Sequence, residues 1–351
     1  MKPERLKELV EKLPSARIGV LGDFFLDHYL VVDPKLAEPS VETGKVAHQV
    51  EAIRSQAGAA GTVINNLSAL GVEKLFAFGV TGEDGYGWQL RNLLNELGCG
   101  TEGLVTCHDL LTPVYIKPVD RGRQGLSAEH SRYDIRNRRA TPEKVTQAVL
   151  EQVERRLPEL DALILVDQVE NESCETVTPL VREWFQRLAS HETSTLFWAD
   201  SRFHIDEFRG VWIKPNHYEV MGHVPTGPTD RVDFSEIKKG LPRLRSRNGA
   251  PVTVTLGQAG MWISDPLPKQ LPAFPIEGPV DSTGAGDSVT AGMVAALCVG
   301  ATHEEAGWIG NLVASITVMQ LGTTGTASPP QVFAQLHEWR TRCPDLFSGL
   351  P

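Results

Sequence analysis

A chain of 351 residues, 41% apolar and 22% charged with a formal net charge of −10, has the make-up of a globular protein with a buried core. The acidic balance argues against nucleic acid as the main partner but leaves room for a local basic pocket around a small phosphorylated ligand. No apolar run reaches the roughly 18 residues of a membrane span, and five scattered cysteines without a CxxC pair fit reduced thiols in a cytoplasm.

The start, MKPERLKELVEKLPSA, sets Leu6, Leu9, Val10 and Leu13 at helical spacing and lacks the apolar core of a secretory signal. RIGVLGD (17–23) reads as a short buried strand, and GAAGTVINNLSALG (58–71) as a helix entered through small residues. EKLFAFGV (73–80) is the next strand and YGWQLRNLLNELG (86–98) a helix closed by Gly98. The alternation resumes with a helix over 142–157, the strand ALILVD (162–167), a helix over 176–189, and the strands TLFWAD (195–200), VWIKPN (211–216) and PVTVTLG (251–257). Apolar strands separated by helices predict an α/β fold with a mostly parallel sheet covered on both faces. Segments 24–56 and 111–139 alternate and are more polar, and read as antiparallel strands of a small lid. No internal repeat or low-complexity linker interrupts residues 1–351, so one domain is expected.

The most informative stretch is DSTGAGDSVTAGMVAAL, Asp281 to Leu297. Gly284, Ala285 and Gly286 carry almost no side chain where a helix begins, so a phosphate can reach the unpaired backbone N–H groups. Asp287 follows in the first turn. A carboxylate beside an anion hole repels phosphate unless it has a task, such as taking the proton of an attacking hydroxyl. The bland alternative is a glycine turn with a helix-capping aspartate. The stretch lacks the Lys-Ser/Thr of a P-loop and the GxGxxG of a dinucleotide site. The ten histidines show no metal spacing, and Arg132, Arg136, Arg138 and Arg139 read as a solvated lid face, with Arg132 as an alternative contact for a substrate phosphate.

DSTGAGDSVTAGMV resembles the C-terminal signature of the ribokinase-like, pfkB-type carbohydrate kinases. IGVLGDFFLDHY, GAAGTVINNLSALG, DSR with WIKPNHYE, VTLGQAGMWI and NLVASITVMQLGTTG resemble further segments of the family in the same order. The nearest likeness is to the kinase domain of bacterial heptose-7-phosphate kinases. The resemblance implies a three-layer α/β/α fold with a β lid, ATP and Mg²⁺ as cofactors, and a sugar or sugar phosphate as acceptor. It implies Asp287 as base, with Gly284, Ala285 and Gly286 as the anion hole. Asn216 and Glu219 match the motif that orders Mg²⁺ through water. Thr255, Gly257, Gly260, Asn311 and Ala314 match nucleotide-side positions, and Asp281 and Thr283 match a monovalent-cation site for K⁺. Asp27, Gly58, Ala59 and Thr62 match sugar-side positions.

Two departures fall on that sugar side. The family's GGAGN here reads Gly58-Ala59-Ala60-Gly61-Thr62, so a methyl and a single hydroxyl replace a glycine and a carboxamide. Close relatives carry Lys-Gly after the strand ending at Asp167, where this chain has QVENES. A second, nucleotidyltransferase domain found in some heptose enzymes has no counterpart in these residues. Relatives that pair through lid strands imply a homodimer. A fructokinase- or ribokinase-type enzyme, or a silent nucleotide- or sugar-binding protein of the same fold, are the alternatives.

Overall fold

The computed structural model describes residues 1–122, 128–169, 174, 176–222 and 233–344. The amphipathic start forms helix α1 (Pro3–Lys12), and the two most apolar strands, β1 (Arg17–Gly22) and one at Ala162–Asp167, lie side by side at the centre of the main sheet. After β1 the chain leaves the sheet through β2 (Phe24–Val32), the short pair β3 (Glu38–Pro39) and β4 (Val46–Ala47), and β5 (Val50–Ala59). It returns through α2 (Ala60–Ala69), β6 (Lys74–Gly82), α3 (Gly85–Glu96) and β7 (Cys99–Cys107). A second excursion makes β8 (Val114–Asp120) and β9 (Tyr133–Ile135). Then follow α4 (Glu143–Arg156), β10 (Ala162–Asp167), α5 (Pro179–His191), β11 (Leu196–Ser201), β12 (Trp212–Ile213) and α6 (Phe234–Asn248). The chain ends with β13 (Thr253–Thr255), β14 (Met261–Ile263), β15 (Lys269–Leu271), α7 (Ala285–Cys298), α8 (His303–Thr317) and α9 (Pro329–Arg342).

Six strands form a parallel sheet in the order β12-β11-β10-β1-β6-β7. The pleat sorts its side chains. Ala162, Ile164 and Val166 of β10 join one core with Leu6, Val63, Met293, Leu312 and Leu336. Leu163 and Leu165 join the other with Val149, Phe185 and Ile237. This is the expected three-layer α/β/α arrangement, with helices on both faces of a sheet too apolar to meet water. No helix of the described residues is long and apolar enough to cross a membrane.

Three expectations change in detail. The lid is a four-stranded sheet, β5-β2-β8-β9, but β2 and β8 run parallel, not antiparallel. Alternation reveals a half-buried strand but not its direction, and the chain crosses the main sheet between the two. The run 251–257 yields β13, which pairs with β14 and β15 in its own antiparallel sheet. It touches the main sheet's edge only through the parallel bridges Ile213↔Val252 and Asn216↔Thr255, because Pro215 between them has no N–H to donate. Finally, β7 and α6 had no signal in the sequence. Glycines and a glutamate interrupt the first, while Gly240 and Pro242 punctuate the second.

Candidate active site

The ends of β1, β10, β11 and β12 open toward the N-terminus of α7, the position where open α/β sheets take ligands. Gly284 caps α7 with φ +75°, a left-handed conformation. A Cβ there would stand 3.1 Å from Thr62 Cγ2 and 3.2 Å from Thr324 Cγ2, so α2 and the loop after α8 close on it. Ala285 N–H is taken by Ser282 O at 3.1 Å. Gly286 and Asp287 supply the next N–H groups, in the turn where helices have no internal acceptor.

Asp287 stands in this first turn, half-buried, facing the cleft. Burial and then Asp200 push its carboxyl up to about 7; Lys214 opposes them, and Asp27 and Glu219 add to the rise. A carboxyl poised near neutrality accepts a proton more readily than an ordinary aspartate. Lys214 and Asp200 are both buried, with Nζ 3.0 Å from Asp200 Oδ2. Thr290 Oγ1 of α7 donates to that same oxygen at 2.9 Å.

Beyond Pro215, Asn216 and Glu219 form one unit. Asn216 donates to the glutamate from its backbone N and from Nδ2, each at 2.7 Å, while its Oδ1 accepts from the N–H of Tyr218 and Glu219. Burial pushes the Glu219 carboxyl up to about 7, with Lys214 opposing and Asp200 reinforcing. An oxygen-rich pair with a carboxylate near Lys214 and Asp200 suits Mg²⁺, a hard cation that retains waters.

Behind α7 lies a cavity of about 630 Å³ lined by Thr255, Gly257, Gly260, Asn311, Ala314 and Gly286, among others. It gathers the five residues expected on the nucleotide side, together with Ala285 and Gly286 at the start of α7. Gly260, at φ +87°, has Leu271 O where a Cβ would go. Asn311 donates to Pro272 O at 3.0 Å, so its amide holds a wall of the cavity. Asp281 accepts from Thr283 N and Gly322 N, each at 3.0 Å, and so ties the loop after α8 to the approach of α7.

The lid covers the opposite side. Asp27 is paired in register with Gln56 and Tyr115, and Tyr29 with Arg54 and Lys117, so these six side chains share one face. Asp27 is buried and meets Lys117 Nζ at 2.7 Å. Burial works against the lysine's charge, but Asp27 and Tyr29 together outweigh it and the lysine's pKa rises. Gly58 lies beneath: a Cβ there would stand 2.7 Å from Asp27 Oδ2. Gln56 joins the lid to the loop after α8, donating to Thr324 Oγ1 at 2.5 Å and accepting from Thr323 Oγ1 at 3.0 Å. Ala59 precedes α2 at φ +52°, the one non-glycine residue with positive φ among those described. Thr62 is buried in the first turn of α2.

The candidate residues therefore gather around one cleft. Asp23, by contrast, is structural: it accepts from the N–H of Gln168 and Thr176 beside Asp167. Arg132 pairs with Asp134 and lies 4.5 Å over the Tyr115 ring. Glu170 to Ser173 of the QVENES segment lie outside the described residues. Sequence reasoning missed Lys214, Asp200, Lys117 and Gln56. Lys214 and Asp200 leave one signal, charge at the end of an apolar strand, as in FWAD and VWIK, while Lys117 and Gln56 lie inside lid strands and leave none.

The pfkB family carbohydrate kinase profile matches residues 24–330. A bifunctional protein HldE from Desulfatibacillum aliphaticivorans is 26% identical over 332 residues, covering 94% of this chain and 65% of that protein. Another, from Citrifermentans bemidjiense, is 27% identical over 339 residues, covering 96% and 66%. The chain thus spans just under two thirds of the length of these curated relatives. Among solved structures, a ribokinase from Thermotoga maritima aligns with TM-score 0.64 at 21% identity, covering 92% of this chain and 99% of its own. Phosphofructokinase-2 from Escherichia coli aligns with TM-score 0.67 at 18% identity, covering 92% and 99%. These two likenesses show the fold.

Proposed function

We propose, from the premise that the chain belongs to the pfkB family of carbohydrate kinases, that it moves the γ-phosphoryl group of ATP to a hydroxyl of a phosphorylated sugar. The observation that carries this reading is Asp287, a carboxyl held near neutrality in the first turn of a helix where the N–H groups of Gly286 and Asp287, after the one Ser282 takes, have no internal acceptor. Asp287 takes the acceptor hydroxyl's proton. The acceptor oxygen bonds to the γ-phosphorus as the bond to the β–γ bridging oxygen breaks, and ADP leaves with that electron pair. The N–H groups of Gly286 and its neighbours stabilise the charge on the transferring group, each such donor contributing on the order of 3 kcal/mol. Thr255, Gly257, Gly260, Asn311 and Ala314 would border the rest of the nucleotide. Asn216 and Glu219 would hold Mg²⁺ through water, and the ion would neutralise phosphate charge. Asp281 and Thr283 would border a K⁺ ion beneath the anion hole.

Asp27, Gly58, Ala59 and Thr62 line the acceptor side. A phosphorylated acceptor is favoured by the lid face. Arg54 lies 5.2 Å and Lys117 5.0 Å from the centre of the Tyr29 ring, and Arg136 lies 5.3 Å from that of Tyr115. With Arg132, four cations there face three carboxylates, Asp27, Glu129 and Asp134. The likeness to bacterial heptose-phosphate kinases points to the same acceptor class. A homodimer through the lid is part of the reading, supported by edge strand β5, where Val50 and Ile53 are exposed. The test is ADP release from Mg-ATP across neutral sugars and sugar phosphates, with Asp287→Ala as control. Turnover on sugar phosphates that the control abolishes supports the reading. Turnover on neutral sugars alone rejects the phosphorylated acceptor, and silence on every acceptor rejects the kinase assignment.

A further inference from the structure

The turn that begins α7 does not hold its own shape. Gly284, at φ +75°, has no side chain to fix it, and the loop after α8 closes on it from outside, with Thr324 Cγ2 3.2 Å from where a Cβ would stand. That loop is pinned from three other elements. Gly322 N–H donates to Asp281 Oδ2 at 3.0 Å, and Gly325 O accepts from Asn66 Nδ2 of α2 at 3.3 Å. Between them stand Thr323 and Thr324, and one amide holds both hydroxyls, that of Gln56 on lid strand β5.

We propose that Gln56 is a positioning residue that sets the start of α7 from the lid side, by holding Thr324 against Gly284. Its Nε2 donates to Thr324 Oγ1 at 2.5 Å and its Oε1 accepts from Thr323 Oγ1 at 3.0 Å, so one side chain fixes two consecutive residues. In the β2–β5 register Gln56 stands directly opposite Asp27, the buried carboxylate of the lid. A shift of the paired strands, such as a ligand at Asp27 would bring, therefore carries Gln56 with it, and Thr323 and Thr324 with Gln56. The same stretch of chain reaches Gly284 a second time, through Thr62 of α2, whose Cγ2 lies 3.1 Å from that Cβ position. Gly284 O in turn accepts the N–H of Ser288 at 2.9 Å, so the place of Gly284 decides where the N–H groups of Gly286 and Asp287 point. A phosphoryl transfer tolerates little error there, since a misplacement of about 1 Å can cost ~100-fold in rate. Gln56 does not line the cavity behind α7, so its effect falls on the reacting end and spares the rest of the nucleotide.

This inference rests on the kinase reading, and its test separates the two. Gln56→Met keeps the length of the side chain and removes both hydrogen bonds. The first readout is amide hydrogen exchange of the ligand-free protein. Exchange over residues 322–325 and 284–288 should quicken by at least about fivefold, the scale of losing one or two hydrogen bonds. The second readout is steady-state kinetics with Mg-ATP and the acceptor that the panel identifies. kcat should fall by about 10-fold or more while KM for ATP stays within about threefold. Thr323→Val should reproduce part of both losses, Thr323→Ser, which keeps the hydroxyl, should recover most of them, and adding Thr323→Val to Gln56→Met should cost less than about twofold more. Should Gln56→Met not fold, Thr323→Val against Thr323→Ser decides by the same readouts. Unchanged exchange over 284–288, or a raised acceptor KM at unchanged kcat, overturns the assignment, because Gln56 would then only brace the lid or touch the acceptor. If the parent turns over no acceptor, the kinase reading fails while the exchange over 284–288 still decides for or against Gln56.

Discussion

Asp287→Asn should abolish turnover and at the same time make the protein more stable, with the gain growing with pH. The carboxyl is pushed up to about 7 by burial and its acidic neighbours, against an ordinary value near 4. Its neutral form is the one the fold prefers. The cost of the charge is therefore absent below about pH 4, builds between pH 4 and 7, and is complete above 7. Three pKa units set a ceiling of ~4 kcal/mol. Asp287 is only half-buried, and water in the cleft screens part of that, so a gain of roughly 1–2 kcal/mol is expected at pH 8. For a chain of this length that is a rise in melting temperature of about 2 °C. Thermal unfolding of parent and variant at pH 5 and pH 8 measures it, alongside ADP release. The variant should gain markedly less at pH 5 and should lose at least ~100-fold in kcat. A shift of the same size at both pH values would refute the claim that the charge of Asp287 is what the fold resists.

Four further outcomes follow from the same geometry. The rate at low acceptor concentration should rise with pH along a limb centred near 7, because Asp287 must be ionised to take a proton; a flat profile from pH 5 to 8 contradicts the base assignment. Lys117→Met should cost roughly 3–5 kcal/mol in urea unfolding by leaving Asp27 buried and unpaired, and adding Asp27→Asn should restore most of it; a double variant as weak as the single one excludes that cause. Ala59→Gly should raise stability by about 1 kcal/mol by relieving a methyl-bearing residue at φ +52°; thermal unfolding that shows a loss instead would mean the backbone there is unstrained. Gly284→Ala places a Cβ 3.1 Å from Thr62 Cγ2 at φ +75° and should lower kcat at least ~10-fold, with unchanged steady-state kinetics as the contrary result.

What could be read from the sequence depended on the range of the interaction involved. Burial on both faces writes itself as an unbroken apolar run, so β1 and β10 were plain, as was α1 from Leu6, Leu9 and Val10. The glycines and aspartate of α7 were plain because a helix start is a local event. Strand direction in the lid was not, since β2 and β8 pair across more than eighty residues of intervening chain. Helix α6 hid because tertiary packing of Ile237 and Leu241 overrides the poor propensity of Gly240 and Pro242. The charged partners hid for a related reason. Lys214 and Asp200 are fourteen residues apart, and nothing local says that one strand end will deliver an ammonium to the other's carboxylate.

On the proposed reading, those hidden pairs are what let the legible motif work. A glycine turn with an aspartate is common, and alone it yields an acidic group of ordinary strength, ionised and repelled by phosphate. Here burial, then Asp200 and Glu219, raise Asp287, the proposed base, toward neutrality while Lys214 limits the rise. On the lid, Lys117 compensates Asp27, so a buried carboxylate can border the cleft without adding a full uncompensated charge to it. The acids given roles in the proposed reaction are thus matched by cations delivered from other strands, Lys214 beside β11 and Lys117 beside β2. The chemistry resides in the local motif, and its tuning in contacts that exist only once the sheet and its lid have assembled. Exchanging the acids for amides one at a time should therefore change the base's apparent pKa even where the exchanged residue never touches the substrate, which makes Asp200→Asn, read by the pH profile, the sharpest probe of that division.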